Sequence, residues 1–248
     1  MEEYAYLASI FASAFYLVAS VRLLRLSRRT GERAERLLGF YFGLSSAYYL
    51  AYNLPGLLGL DSWSTSAEWT IEWLYVLGVF PYLIFIRSVF RPEDTWAGVL
   101  VAACSILLLA GTVMGALDGR GVYSFDNPWF LIQWVVYTAP CVWMCGEALL
   151  SRHGAQKRVR IGLCAPVVAN RYLLLALFGG FQVFACLADL SYAADLNGNQ
   201  TASLLSNALL GGTEIASVAV LWFAFFPPSF YSNWITQRAE TLPASVEE

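Results

Sequence analysis

The chain has 248 residues, of which 58% are hydrophobic, 16% aromatic and only 13% charged, with a net charge of −3. An ordinary soluble domain carries about a quarter charged residues. This composition therefore excludes a soluble globular domain, and equally a disordered, collagenous or disulfide-stapled one. A single histidine, His153, and a single lysine, Lys157, leave no material for a His-rich metal centre or a buried catalytic lysine.

A bilayer core about 30 Å thick takes about 20 apolar residues wound as a helix. Seven such stretches follow one another, at residues 4–24, 37–60, 66–90, 95–117, 128–150, 164–190 and 202–226. They lack the alternation of barrel strands, and hydrocarbon satisfies no exposed backbone group. The expected fold class is an all-α polytopic integral membrane protein with seven transmembrane helices. The third stretch is the least clean, since it holds Glu68, Glu72 and Arg87; the sixth holds Arg171 and Asp189, and the seventh Glu214.

Orientation follows from the 15 basic residues. Arg22, Arg25, Arg28, Arg29, Arg33 and Arg36 fall about the first connection and Arg87 and Arg91 about the third. Arg152, Lys157, Arg158 and Arg160 fall about the fifth, Arg171 just beyond it, and Arg238 in the tail. Only Arg120 falls on the other side. Basic residues collect on the cytoplasmic side, so the N-terminus is expected outside, the C-terminus in the cytoplasm, and the protein in a plasma (inner) membrane. Residues 1–6 are acidic and precede a long span, which reads as a first transmembrane helix and not as a signal peptide. The expected bundle covers residues 1–236. Pro227 and Pro228 stop the last span, after which Phe230, Tyr231, Trp234 and Ile235 suit a short interfacial helix, and residues 237–248 read as a mobile cytoplasmic tail.

Ionisable side chains inside a span cost several kcal/mol unless they face a cavity or a partner. Glu68 and Glu72 lie one turn apart near the outer end of the third span, Asp189 near the outer end of the sixth, and Glu214 near the middle of the seventh. No lysine or arginine occupies the outer half of any span. Tyr48, Tyr49, Tyr52, Trp69, Trp73, Tyr75, Trp134 and Tyr137 share those outer halves, with Asn53, Gln133 and Gln182 as neutral polar groups. Acids among aromatics suit an organic cation, although aromatics also gather at any membrane interface. The candidate ligand-binding set is Glu72, Glu214, Asn53, Gln182, Asp189, Glu68 and Trp73.

On the inner side, Arg91-Pro92-Glu93-Asp94 reads as a turn capping the fourth helix. Glu147 has Arg152 or Arg171 as expected partners, and Glu147, Asn170 and Arg171 form an expected structural network. Pro55, Pro81 and Pro140 are expected to kink their helices. Asn199-Gln200-Thr201 matches a glycosylation acceptor. The five cysteines, Cys104, Cys141, Cys145, Cys164 and Cys186, fall within spans or at their ends and read as small apolar packing residues.

Seven helices with an outer N-terminus resemble rhodopsins and G-protein-coupled receptors in topology alone. The only lysine, Lys157, lies in an inner connection, and Glu214 stands roughly where a retinal lysine belongs, so no retinal Schiff base forms. Ile86-Arg87-Ser88 departs from the acidic-Arg-aromatic triplet of the receptors. One histidine serves neither a seven-helix zinc hydrolase nor a bis-histidine haem. No metal, cofactor or catalytic set is expected. The expectation is a non-enzymatic receptor or sensor with a small ligand, an organic cation among the candidates, in an outward cavity. A proton- or cation-coupled transporter using Glu214 is the alternative, and an accessory or assembly subunit of a larger membrane complex the next. The expected partners are the lipid bilayer, a small molecule or cation, and a membrane or cytoplasmic protein, with no nucleic acid.

Overall fold

The computed structural model describes residues 2–58, 63–119, 122, 127–195 and 200–241. Those residues form eight α-helices: α1 (Glu2–Thr30), α2 (Arg33–Leu58), α3 (Thr65–Phe90), α4 (Thr95–Asp118), α5 (Pro128–Arg160), α6 (Pro166–Asp195), α7 (Gln200–Phe225) and α8 (Ser229–Thr241). The first seven coincide with the seven apolar stretches, and no strand occurs among the described residues. Five helical segments, Ile10–Thr30, Thr65–Phe90, Thr95–Asp118, Pro128–Arg160 and Pro166–Leu190, are each long and apolar enough to cross a membrane. Leu210–Phe225 and Ser229–Gln237 meet at a 76° bend and make a sixth if taken together. The chain is therefore a helical membrane protein. Arg120, Asn199 of the glycosylation sequence, and tail residues 242–248 lie outside the described residues; residues 237–241 belong to α8.

Local chemistry sets the helix ends. Ser64 caps α3, its hydroxyl accepting from the Ala67 amide, and Asn127 caps α5 by accepting from the Trp129 amide at 3.0 Å, ahead of Pro128. Gly31 takes φ +77° in the tight α1–α2 turn, a conformation that costs a side-chain-bearing residue free energy. Pro55 has no amide to give the Ala51 carbonyl one turn back. The Trp63 indole supplies the missing donor at 2.9 Å, and α2 runs on through the proline.

Consecutive helices pack side by side, α7 returns to α1, and α3 also touches α5. Six helices thus close a ring, with α4 applied to its outside against α3 and α5. Val99, Ile106 and Leu117 of α4 are 66–76% exposed, as a lipid-facing helix requires. Small residues make the seams. On α1–α2, Ser20 donates to the Gly39 carbonyl at 2.7 Å and Ser13 to the Ser46 carbonyl at 3.0 Å. On α5–α6, Gly179 lies against the backbone of Cys141 and Cys145; on α3–α4, Gly115 lies against Trp69. Aromatic side chains cross the middle of the ring. Tyr41 stacks on Tyr82 at 4.7 Å, Tyr16 on Phe42 at 5.5 Å, and Phe178 meets the edges of Phe42 and Tyr82.

A Cβ added at Gly179 would stand 2.9 Å from both the Cys141 oxygen and the Cys145 nitrogen, whereas one at Gly180 meets nothing within 4 Å. Gly179→Val is expected to cost about 1–3 kcal/mol by overpacking, read as a lower melting temperature in detergent. Gly180→Ala should leave that temperature unchanged.

Candidate functional site

The ring has an acidic end, where α1, α3, α5 and α7 begin, and a basic end opposite. At the acidic end, Glu72 of α3 is 3% exposed and Glu214 of α7 is 4% exposed. Asp189 of α6, partly buried, lies within electrostatic reach of both. Glu72 accepts a 2.7 Å hydrogen bond from the Tyr137 hydroxyl of α5. Glu214 is within electrostatic reach of Tyr16 of α1 and Tyr49 of α2. Three carboxylates from three helices therefore converge on one region of the ring.

Tyrosines wall that region from helix to helix. Tyr16 lies 5.9 Å from Tyr49, Tyr49 is 5.5 Å from Tyr48, Tyr48 is 5.1 Å from Tyr75, and Tyr75 is 4.6 Å from Tyr137. The chain of rings thus runs over α1, α2, α3 and α5. Gln182 of α6 completes the circuit, donating to Ser217 of α7 at 3.1 Å and lying within hydrogen-bonding reach of Tyr16. Aromatic faces and carboxylates together are the surroundings that favour a positive charge. The basic residues of the described chain all lie toward the other end.

Of the seven expected ligand-site residues, the structure brings together Glu72, Asp189, Glu214 and Gln182. Asn53 is buried, but its amide donates to the Tyr49 carbonyl of its own helix at 2.8 Å. Glu68 stands half-buried one turn nearer the helix start. Trp73 follows Glu72 directly and so projects about 100° around the helix from it. It lines a separate surface groove of about 260 Å³ with Thr65, Ser66, Trp69, Thr70, Ala116 and Gly119, between α3 and α4. The sequence reading missed Tyr16 and Ser217. The signal was present for Tyr16, since Ser13, Tyr16 and Ser20 recur at helical spacing and mark a polar stripe in an otherwise apolar span.

Among the described residues, no group of three or more His, Cys, Asp or Glu is arranged to hold a metal ion. The three carboxylates are thus neighbours without converging on one small ion. The described cysteines are free thiols. Cys141 of α5 and Cys186 of α6 are both buried and lie in contact at that helix seam.

At the basic end Glu147 of α5 pairs with Arg91, at 2.8 Å, and not with Arg152 or Arg171. The reason is helix phase. Cys141 and Cys145 face α6 at Gly179, and Glu147 lies about 200° around α5 from Cys145, toward α3 and α4. Arg171 is exposed and stands apart from this pair. The Trp143 indole also donates to Glu147, at 3.3 Å, and Trp143 lies 5.6 Å from Trp96 of α4. Asp94 takes the N-cap position of α4, but its carboxylate turns to Arg91 at 3.3 Å and leaves the helix amides uncapped. The hydrogen bond and charge of Glu147 hold the Arg91 pKa above the usual arginine value. Asn170 serves a different link, donating to the Tyr231 hydroxyl of α8 at 2.6 Å.

Comparison with protein-family models, with curated proteins and with solved structures finds no match for this chain.

The side chain of Glu147 is 10% exposed and that of Asp94 is 42% exposed, so losing the common arginine strands only Glu147 away from water. Arg91→Gln should lower the melting temperature clearly more than Asp94→Asn does. It should also shift the tryptophan emission as the Trp143 contact loosens.

Proposed function

We propose that this chain is a non-enzymatic membrane protein of receptor or sensor type that binds a small organic cation among the acids and tyrosines at one end of its ring. The observation that carries this reading is the convergence of Glu72, Asp189 and Glu214 inside a wall of tyrosine rings. The carboxylates do not meet at a single metal-sized point, so an extended cation, touched by rings on its sides and by separate acids, fits better than a bare metal ion. In the same reading all seven long helices span the bilayer of a plasma (inner) membrane. The excess of arginine at one end puts that end in the cytoplasm, the N-terminus outside, and the acidic region toward the exterior. The ion pair of Arg91 with Glu147, and the Arg91 guanidinium 5.9 Å from the centre of the Trp96 ring, hold the basic end of the scaffold while ligand occupies the other.

A proton- or cation-coupled transporter is the second reading. It is favoured by Glu214, which follows Gly211-Gly212 in the body of α7 and shares its field with acids on two other helices. Coupling carboxylates of transporters occupy such positions.

Choline and tetramethylammonium, titrated calorimetrically into the purified protein, are the test. A wild-type protein that takes up neither would sink the proposal. Glu72→Gln and Glu214→Gln should each weaken binding about ten-fold or more, and Tyr137→Phe by a few-fold, since one hydrogen bond is worth about 0.5–1.5 kcal/mol. The pH dependence has a definite sign. Protons and the cation compete for the same carboxylates, so affinity should rise with pH and fall as the acids take up protons. Uptake into proteoliposomes driven by an imposed proton gradient would favour the transporter.

A further inference from the structure

Six arginines, Arg22, Arg25, Arg28, Arg29, Arg33 and Arg36, crowd the end of α1 and the start of α2, and all are exposed. Glu32 and Glu35 lie among them, but among the described residues the ion pairs are those of Arg91 alone, so none of the six is ion-paired and the cluster keeps a net positive charge. Glu35, the nearest acid on α2, accepts instead from the Thr30 hydroxyl at 2.8 Å.

The arginines are also ordered along one edge of the helix. Phe15, Val18, Arg22, Arg25 and Arg29 recur at alternating intervals of 3 and 4 and therefore share one face of α1. That face is apolar toward the middle of the bundle and basic toward its end. It runs along the seam with α7, where the Arg22 guanidinium lies 4.7 Å from the centre of the Trp222 ring and 5.3 Å from that of Phe226. Phe15 meets Trp222 at 5.4 Å. Stacking fixes a planar guanidinium while its N–H edge stays free to bind an oxyanion. An apolar stretch continued by positive charges spaced one turn apart, the first of them held by stacking, matches a molecule with a hydrocarbon tail and a phosphate head.

We propose that the α1–α7 seam is a binding site for an anionic phospholipid, its phosphate against Arg22, Arg25 and Arg29 and an acyl chain along Phe15, Val18 and Trp222. The inference does not depend on what the acidic end binds, nor on which leaflet the basic end meets. It requires only that this end lie at a membrane surface.

Native mass spectrometry of the whole protein, exchanged into equal amounts of phosphatidylglycerol and phosphatidylcholine with identical chains, tests it. Wild type should retain phosphatidylglycerol preferentially. Replacing Arg22, Arg25 and Arg29 together by Gln should reduce that preference about a hundred-fold, at about five-fold for each arginine, the equivalent of ~1 kcal/mol per basic residue near an anionic surface. Replacing Arg152, Arg158 and Arg160 by Gln makes the same change in net charge away from the seam and should leave the preference intact. Arg22→Lys keeps the charge and disturbs the fold least, yet loses the flat stacking, and should lower the preference a few-fold. A wild type without preference, an equal loss in both triple variants, or an Arg22→Lys protein identical to wild type would each overturn the assignment.

Discussion

Hydrocarbon solvates neither a peptide group nor a charge, and the whole architecture follows from that. Each long apolar stretch must satisfy its own amides, which only a helix does within one segment. Each acid within such a helix must then turn away from lipid. Glu72, Asp189 and Glu214 stand on three different helices, and a closed ring offers them one shared interior. Their meeting is thus a consequence of the solvent as much as of any pairing between them. Among the described residues no arginine or lysine lies at that end, which makes it different in kind from the other, where Arg91 and Glu147 neutralise each other.

Because lipid is as apolar as leucine, burial of apolar surface gives these helices little reason to associate. Close approach does instead. Gly179 brings the α5 and α6 backbones nearly into contact, and Ser13, Ser20, Gly39 and Ser46 zip α1 to α2 with short hydrogen bonds. Across the ring the backbones are too far apart to touch, and long aromatic side chains bridge the gap, with Phe178 reaching both Phe42 and Tyr82. This division explains the composition. Small residues form the seams, and the many tyrosines and phenylalanines fill the middle. Where tyrosine does the filling it leaves hydroxyls inside the bundle, and at the acidic end the Tyr137 hydroxyl finds Glu72.

Much of this was legible in advance. The helices α1–α7 follow hydropathy, and the interior position of Glu72 and Glu214 follows from the cost of placing them in lipid. What was not legible turned on rotational phase and on chain returning from far away. Arg91 and Glu147 are separated by 56 positions, and Arg152 or Arg171 looked equally suitable until the direction of Glu147 around α5 was known. Trp73 and Glu72 are adjacent in the chain, yet one lines a surface groove and the other the interior. Asn53 looked free for a ligand, but its own helix offered a carbonyl. Arg22 read only as one of many basic residues, and its place over Trp222 depended on α7 closing the ring on α1.

Taken alone, the sequence determined the environment and the elements, because hydropathy, helix length and the distribution of charge are properties of single segments in a given solvent. It also determined that one end would be acidic and aromatic and the other rich in arginine. Only the tertiary structure decided that α4 lies outside a ring of six, that three carboxylates share one space with Tyr16 and Gln182, and that Arg91 is the partner of Glu147. Those outcomes depend on which face of each helix meets which neighbour. That choice is made by small-residue seams and aromatic bridges between segments distant in the chain, and no segment carries it by itself.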